Sequence, residues 1–73
     1  MSIETNIADS RVAFLNGNYE KALELANQAI ALDPKNADAY QCAANAYMSF
    51  GNYKDAISNY TKALDNDAYS RSI

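Results

Sequence analysis

The sequence predicts an all-α chain built as two tandem helix-turn-helix hairpins. Three observations carry that reading. The motif Gly-Asn-Tyr-x-x-Ala occurs twice, as Gly17-Asn18-Tyr19…Ala22 and Gly51-Asn52-Tyr53…Ala56, with the copies 34 residues apart. Apolar residues recur at helical spacing in four segments, and no segment alternates as a strand would. Only a few residues separate one segment from the next, and short connections make consecutive helices antiparallel neighbours.

Each segment carries its own punctuation. The first helix is predicted over 3–16, with Ser2 as N-cap, Glu4 in the first turn and Ile3, Ile7, Ala8, Val12, Ala13, Phe14 and Leu15 as its apolar set. Its side-chain cap and early carboxylate satisfy free N–H groups and complement the helix dipole. Gly17 ends it by taking the left-handed conformation that a Cβ disfavours. Asn18 caps the second helix, 19–32, whose stripe is Ala22, Leu23, Ala26, Ala29 and Ile30. Asp33-Pro34 stops that helix, because proline disfavours the α conformation in the residue before it.

Asn36 caps the third helix, 37–50, which is rich in the helix-favouring alanine and ends at Gly51. Tyr40, Ala43, Ala44 and Tyr47 line one face. Asn52 caps the fourth, 53–65, with Ala56, Ile57, Tyr60, Ala63 and Leu64 as its stripe. The expected organisation is one domain over 1–73. Its first repeat covers about 3–36 and its second about 37–70, and 71–73 form a tail or the stub of a further helix.

Composition excludes several function classes. The chain has 73 residues, one Cys, no His and a net charge of −3. No internal disulfide and no Cys/His zinc site can form. A lone thiol fits a reducing compartment, and a cytoplasmic location is expected. No basic stripe points to nucleic acid, and no apolar run reaches the roughly 18 residues that span a membrane. Gly17 and Gly51 are single glycines at helix stops rather than a phosphate-cradling loop. No catalytic constellation and no cofactor site emerge, so an enzyme is not expected.

The pattern resembles the tetratricopeptide repeat. The second copy matches it at Tyr40, Ala43-Ala44, Tyr47, Gly51, Tyr53, Ala56, Tyr60 and Ala63. The first matches at Ser10, Gly17, Tyr19, Ala22, Ala29 and Asp33-Pro34. The small residues let the helices of a hairpin cross closely, and the aromatics Tyr40, Tyr47, Tyr53 and Tyr60 are expected to fill the space around the crossings. The first copy departs at Asn6, where an aromatic belongs, and at Ala13, where the second has Tyr47. In the second copy Ala68 replaces the closing proline, and Tyr69-Ser70-Arg71 is similar to the start of another hairpin.

The resemblance implies a right-handed α-solenoid fragment and a protein–protein interaction module. Such modules bind a peptide or partner helix in the concave groove of the first helix of each pair. The groove positions carried over are Ile7, Arg11, Phe14 and Leu15 from the first helix, and Asp38, Gln41, Cys42, Asn45 and Met48 from the third. Asn45 stands out, because a mid-helix Asn is neither a strong helix former nor a cap, and its amide can clamp a peptide backbone. A two-repeat groove is expected to bind in the micromolar range.

A subset of the family grips C-terminal carboxylates of chaperone tails with Lys and Asn side chains. This sequence matches it weakly: the corresponding slots hold Ile7, Arg11 and Cys42, with Arg71 near one basic slot. Self-assembly is the alternative reading. Ile57, Tyr60 and Leu64 would form an unsealed edge through which two chains oligomerise.

Overall fold

A computed structural model describes the backbone over residues 2–71 and side chains over 2–66. Four helices follow in order: α1 (Ile3–Leu15), α2 (Tyr19–Leu32), α3 (Ala37–Phe50) and α4 (Tyr53–Arg71). Each packs on the next in sequence, and α1 also touches α3, whereas α2 and α4 do not meet among the described residues. The two hairpins therefore lean together on the α1/α3 side, which is the inner face. Extents of 37 × 29 × 18 Å fit two layers of helices, each about 10 Å thick.

The doubled motif acts as a pair of identical joints. Gly17 and Gly51 sit at φ +82° and +79°. At the first joint the Gly17 N–H donates to Phe14 O (3.0 Å) and the Asn18 N–H to Ala13 O (2.8 Å). At the second, Gly51 N–H donates to Met48 O (3.1 Å) and Asn52 N–H to Tyr47 O (2.9 Å). This pair of bonds is the Schellman closure of a helix. The same asparagines open the next helix: the Asn18 and Asn52 carbonyls accept from Ala22 and Ala56, and Asn18 Oδ1 accepts from the Lys21 N–H. Ser2 and Asn36 cap α1 and α3 through Thr5 and Ala39 N–H groups.

The second link is different. Asp33 is extended at φ −148°, as the following proline requires. Its carboxylate accepts from the Lys35 N–H. The Tyr40 hydroxyl donates to the Pro34 carbonyl at 2.7 Å, and Lys62 Nζ lies 5.7 Å from the Tyr40 ring centre.

The core is mostly alanine. Ala22, Ala26, Ala29, Ala39, Ala43, Ala44, Ala46 and Ala56 are wholly buried. Ile7, Ala26, Ala29, Ala39, Cys42 and Ala43 form one cluster, flanked by Ile3, Leu23, Ile30 and Tyr47. A second joins Ala13, Ala22 and Ala46 under Phe14 and Leu23. Small side chains let the helix backbones approach closely, and the energy comes from many short dispersion contacts rather than from a few large groups.

Four expectations need correction. The buried face of α1 is Asn6, Ile7, Ser10 and Ala13, while Ala8, Val12 and Leu15 face outward. Ser10 is small, and its hydroxyl donates to the Ala22 carbonyl at 2.7 Å, which removes the cost of burying it. On α2, Leu25 is buried and absent from the predicted stripe; it lines a cleft with Asn6, Asp9 and Ala13 on the side of the hairpin away from α3.

Tyr53 does not pack as expected and is 60% exposed. Its counterpart Tyr19 is held between the rings of Phe14 (5.4 Å) and Phe50 (6.4 Å), and no described ring takes the place of Phe50 beside Tyr53. Finally, α4 continues to Arg71 rather than stopping at 65. Position 68 holds Ala where the first repeat has Pro34, so nothing breaks the helix before Tyr69-Ser70-Arg71. Residues 72–73, and the side chain of Arg71, lie outside the described residues.

Candidate functional site

The inner face carries a cavity of about 330 Å³ between α1 and α3. Ser10, Arg11, Phe14 and Leu15 line it from α1, and Gln41, Cys42 and Asn45 from α3. Helical spacing explains the set: 10, 11, 14 and 15 on one helix and 41, 42 and 45 on the other each fall within a single stripe. The site is therefore built on rigid elements, not on loops.

Its chemistry is mixed. Phe14 and Leu15 supply apolar wall, and Leu15 is 81% exposed. Phe14 is steadied from behind by Tyr19. Arg11 and Asp38 face each other across the helices, with Nη2 to Oδ1 at 3.6 Å and both side chains largely in solvent. Such a pair contributes little to stability; its effect here is to neutralise the one cation lining the cavity. Cys42 forms part of the floor. Burial pushes its thiol above the ordinary range, against the opposing pull of the nearby Arg11 charge, so the thiol stays protonated and unreactive at neutral pH.

Asn45 receives a hydrogen bond at Oδ1 from the Tyr60 hydroxyl of α4. Its own backbone carbonyl also accepts from the Ser49 hydroxyl at 3.2 Å.

Of the groove residues carried over from sequence, the structure brings Arg11, Phe14, Leu15, Gln41, Cys42 and Asn45 together around the cavity. Asp38 stands at its margin through the Arg11 pair. Ile7 is placed in the core, 7% exposed, and Met48 lies on exposed surface outside the cavity. Ser10 also lines the cavity, although sequence reasoning assigned it only a packing role. Among the residues of the predicted edge, Ile57 and Leu64 are 64% and 67% exposed, whereas Tyr60 is half-buried and turned toward Asn45.

Among the described residues, no helix is long and apolar enough to cross a membrane, and no group of three or more Asp, Glu or Cys side chains is placed to hold a metal ion.

Comparison with known proteins fits this geometry. A family model described as "Tetratricopeptide repeat" matches residues 13–70. The chain is 36% identical over 58 residues to the protein SGT1 homolog of rice, Oryza sativa subsp. japonica, covering 80% of this chain and 16% of that protein. It is 43% identical over 44 residues to serine/threonine-protein phosphatase T of Trypanosoma brucei brucei, covering 60% of this chain and 9% of the relative. It is 35% identical over 51 residues to small glutamine-rich tetratricopeptide repeat-containing protein 2 of Mycosarcoma maydis, covering 70% and 14%. The chain thus spans about a sixth or less of the length of these relatives.

Proposed function

Because this chain belongs to the tetratricopeptide repeat family, we propose that its α1/α3 cavity binds an extended segment of a partner protein. The observation that carries this reading is the cavity itself: apolar wall from Phe14 and Leu15 beside the amides of Gln41 and Asn45, all on rigid helices. Ligand pockets combine apolar area with a few fixed polar groups in this way. Repeats of this family generally serve protein–protein interaction. Three of the groove residues expected from sequence, Arg11, Gln41 and Asn45, lie together there, with Asp38 at the rim. The role is binding and not catalysis, and the resemblance to a phosphatase covers only 9% of that enzyme. A buried, unpaired Cys42 suits the reducing cytoplasm.

Titration of the labelled protein with acetyl-Leu-Leu-amide, read by backbone amide shifts, tests the groove. The expected shifts fall at Arg11, Phe14, Gln41 and Asn45. Shifts confined to the outer α2 and α4 faces would overturn the reading.

A second reading has its own observation. Ile57 and Leu64 occupy on α4 the places that Leu23 and Ile30 occupy on α2, 34 residues earlier. Leu23 and Ile30 are packed against the core, whereas Ile57 and Leu64 stand in solvent. That face suits association with another helix, including one from a second copy. Sedimentation over a concentration series decides it: a mass that stays monomeric into the millimolar range rules self-association out.

A further inference from the structure

Asn45 is tied at one end only. Its Oδ1 accepts from the Tyr60 hydroxyl, while its Nδ2 meets no acceptor among the described residues, and no buried side-chain nitrogen or oxygen is left unpaired. The free amide nitrogen is therefore open to solvent, at a residue that lines the cavity. A primary amide has one acceptor oxygen and two N–H donors, and its terminal torsion is roughly two-fold. Unconstrained, it presents either end to a ligand. With the oxygen engaged from α4, the end left for the groove is the donor end.

Charge decides which acceptor suits those donors. Arg11 is the one cation lining the cavity, and Asp38 lies 3.6 Å from it. The chain as a whole carries −3. An incoming carboxylate would have to compete with Asp38 for Arg11 inside a net negative field. A neutral carbonyl meets no such competition, and the wall of Phe14 and Leu15 accepts the apolar side chain next to it.

Resting on the groove reading above, we propose that Tyr60 is the positioning residue of the site: by holding Asn45 Oδ1 it aims the Asn45 N–H pair into the groove, which selects an uncharged main-chain carbonyl flanked by an apolar side chain. Tyr60 belongs to the repeat's packing pattern, so its ring and its hydroxyl have separate tasks. The half-buried ring packs along α4, and the hydroxyl fixes the polarity of the Asn45 amide it touches on α3.

The test uses two probes, acetyl-Leu-Leu-amide and acetyl-Leu-Leu with a free carboxylate, titrated into the wild type, Tyr60→Phe and Asn45→Asp. The readout includes the Asn45 side-chain NH₂ resonances. In the wild type the blocked probe is expected to shift those resonances and to bind at least as tightly as the free acid. Tyr60→Phe keeps the ring; it is expected to move the Asn45 NH₂ resonances before any probe is added and to weaken the blocked probe about three- to tenfold, the effect of losing one orienting hydrogen bond. Asn45→Asp keeps an acceptor for Tyr60 and loses both donors, and is expected to weaken binding at least about tenfold.

Wild-type affinity in Tyr60→Phe, or a free acid that binds tenfold tighter than the blocked probe, overturns the positioning role while leaving the groove intact. If neither probe shifts the groove of the wild type, the groove reading itself falls, and this one with it.

Discussion

Gly17 and Gly51 are required by backbone angle alone. A Cβ built on either would meet nothing within 4 Å, so no side chain is excluded by space. The strain of an L-residue at φ near +80° remains. Gly51→Ala is expected to cost about 1–2 kcal/mol in urea unfolding, with Gly51→Asn milder because asparagine visits this region more readily.

Cys42 gives a second prediction at the same scale. Burial raises its folded-state pKa above the unfolded value, so the unfolded chain loses its proton first as pH rises. The thiol's contribution to stability is full at neutral pH and lost as pH climbs above the ordinary thiol range. Cys42→Ala is expected to flatten that alkaline loss relative to the wild type, and iodoacetamide should modify the folded protein slowly at pH 7. Among site residues, Asn45 was legible in the sequence because a mid-helix asparagine has no local reason to be there. The hydroxyl of Tyr60 was not: its slot reads as packing, and only the crossing of α3 and α4 brings it to Asn45. Asn6 was not legible either: it is buried at 2% exposure where hydrophobic spacing gives a polar side chain no place. Ser10 was legible as a small packing residue, but its hydrogen bond to the Ala22 carbonyl was not.

At the level of elements, start and stop signals carried most of the information. Asn and Ser caps, the two glycines and Asp33-Pro34 placed the helix boundaries within a residue, because those groups act on the backbone next to them. The exception is the end of α4, where the stop signal is missing. Ala68→Pro would restore it and is expected to lower the far-UV helical signal by about the residues from 68 to 71, with little effect on the cores around Ala26 and Ala46. The helix faces were harder to read, because an alanine-rich interface has little hydrophobic contrast. Its constraint is steric instead. Ala43 lies wholly buried between α2 and α3, so Ala43→Leu is expected to destabilise by about 1–3 kcal/mol, measured by thermal or urea unfolding. A substitution of the same size at exposed Met48 should have no comparable effect.

Across the whole molecule, stability is a sum over neighbouring helices and owes little to charge. The one ion pair among the described residues, Arg11–Asp38, is solvent-exposed, so raising sodium chloride to about 0.5 M is expected to change unfolding free energy by less than about 0.5 kcal/mol. A loss of several kcal/mol would show that charge matters more than this packing implies. Among the described residues nearly every contact joins helices adjacent in the chain, and only α1 with α3 skips one, so few long loops must close before packing begins and folding should be fast for the size. The joints at Asn18 and Asn52 carry a further consequence. In each, one residue's N–H finishes a helix and its carbonyl starts the next, which leaves no slack to absorb an inserted residue. The Asp33–Asn36 turn has no such shared residue: it is held by the Asp33 carboxylate, the Asn36 N–H on the Asp33 carbonyl and the Tyr40 hydroxyl on the Pro34 carbonyl. A hairpin inserted at that turn would leave both glycine joints whole, whereas an insertion at Asn18 or Asn52 would break one. The chain is thus built to lengthen in units of 34 residues, the spacing of its two Gly-Asn-Tyr-x-x-Ala joints.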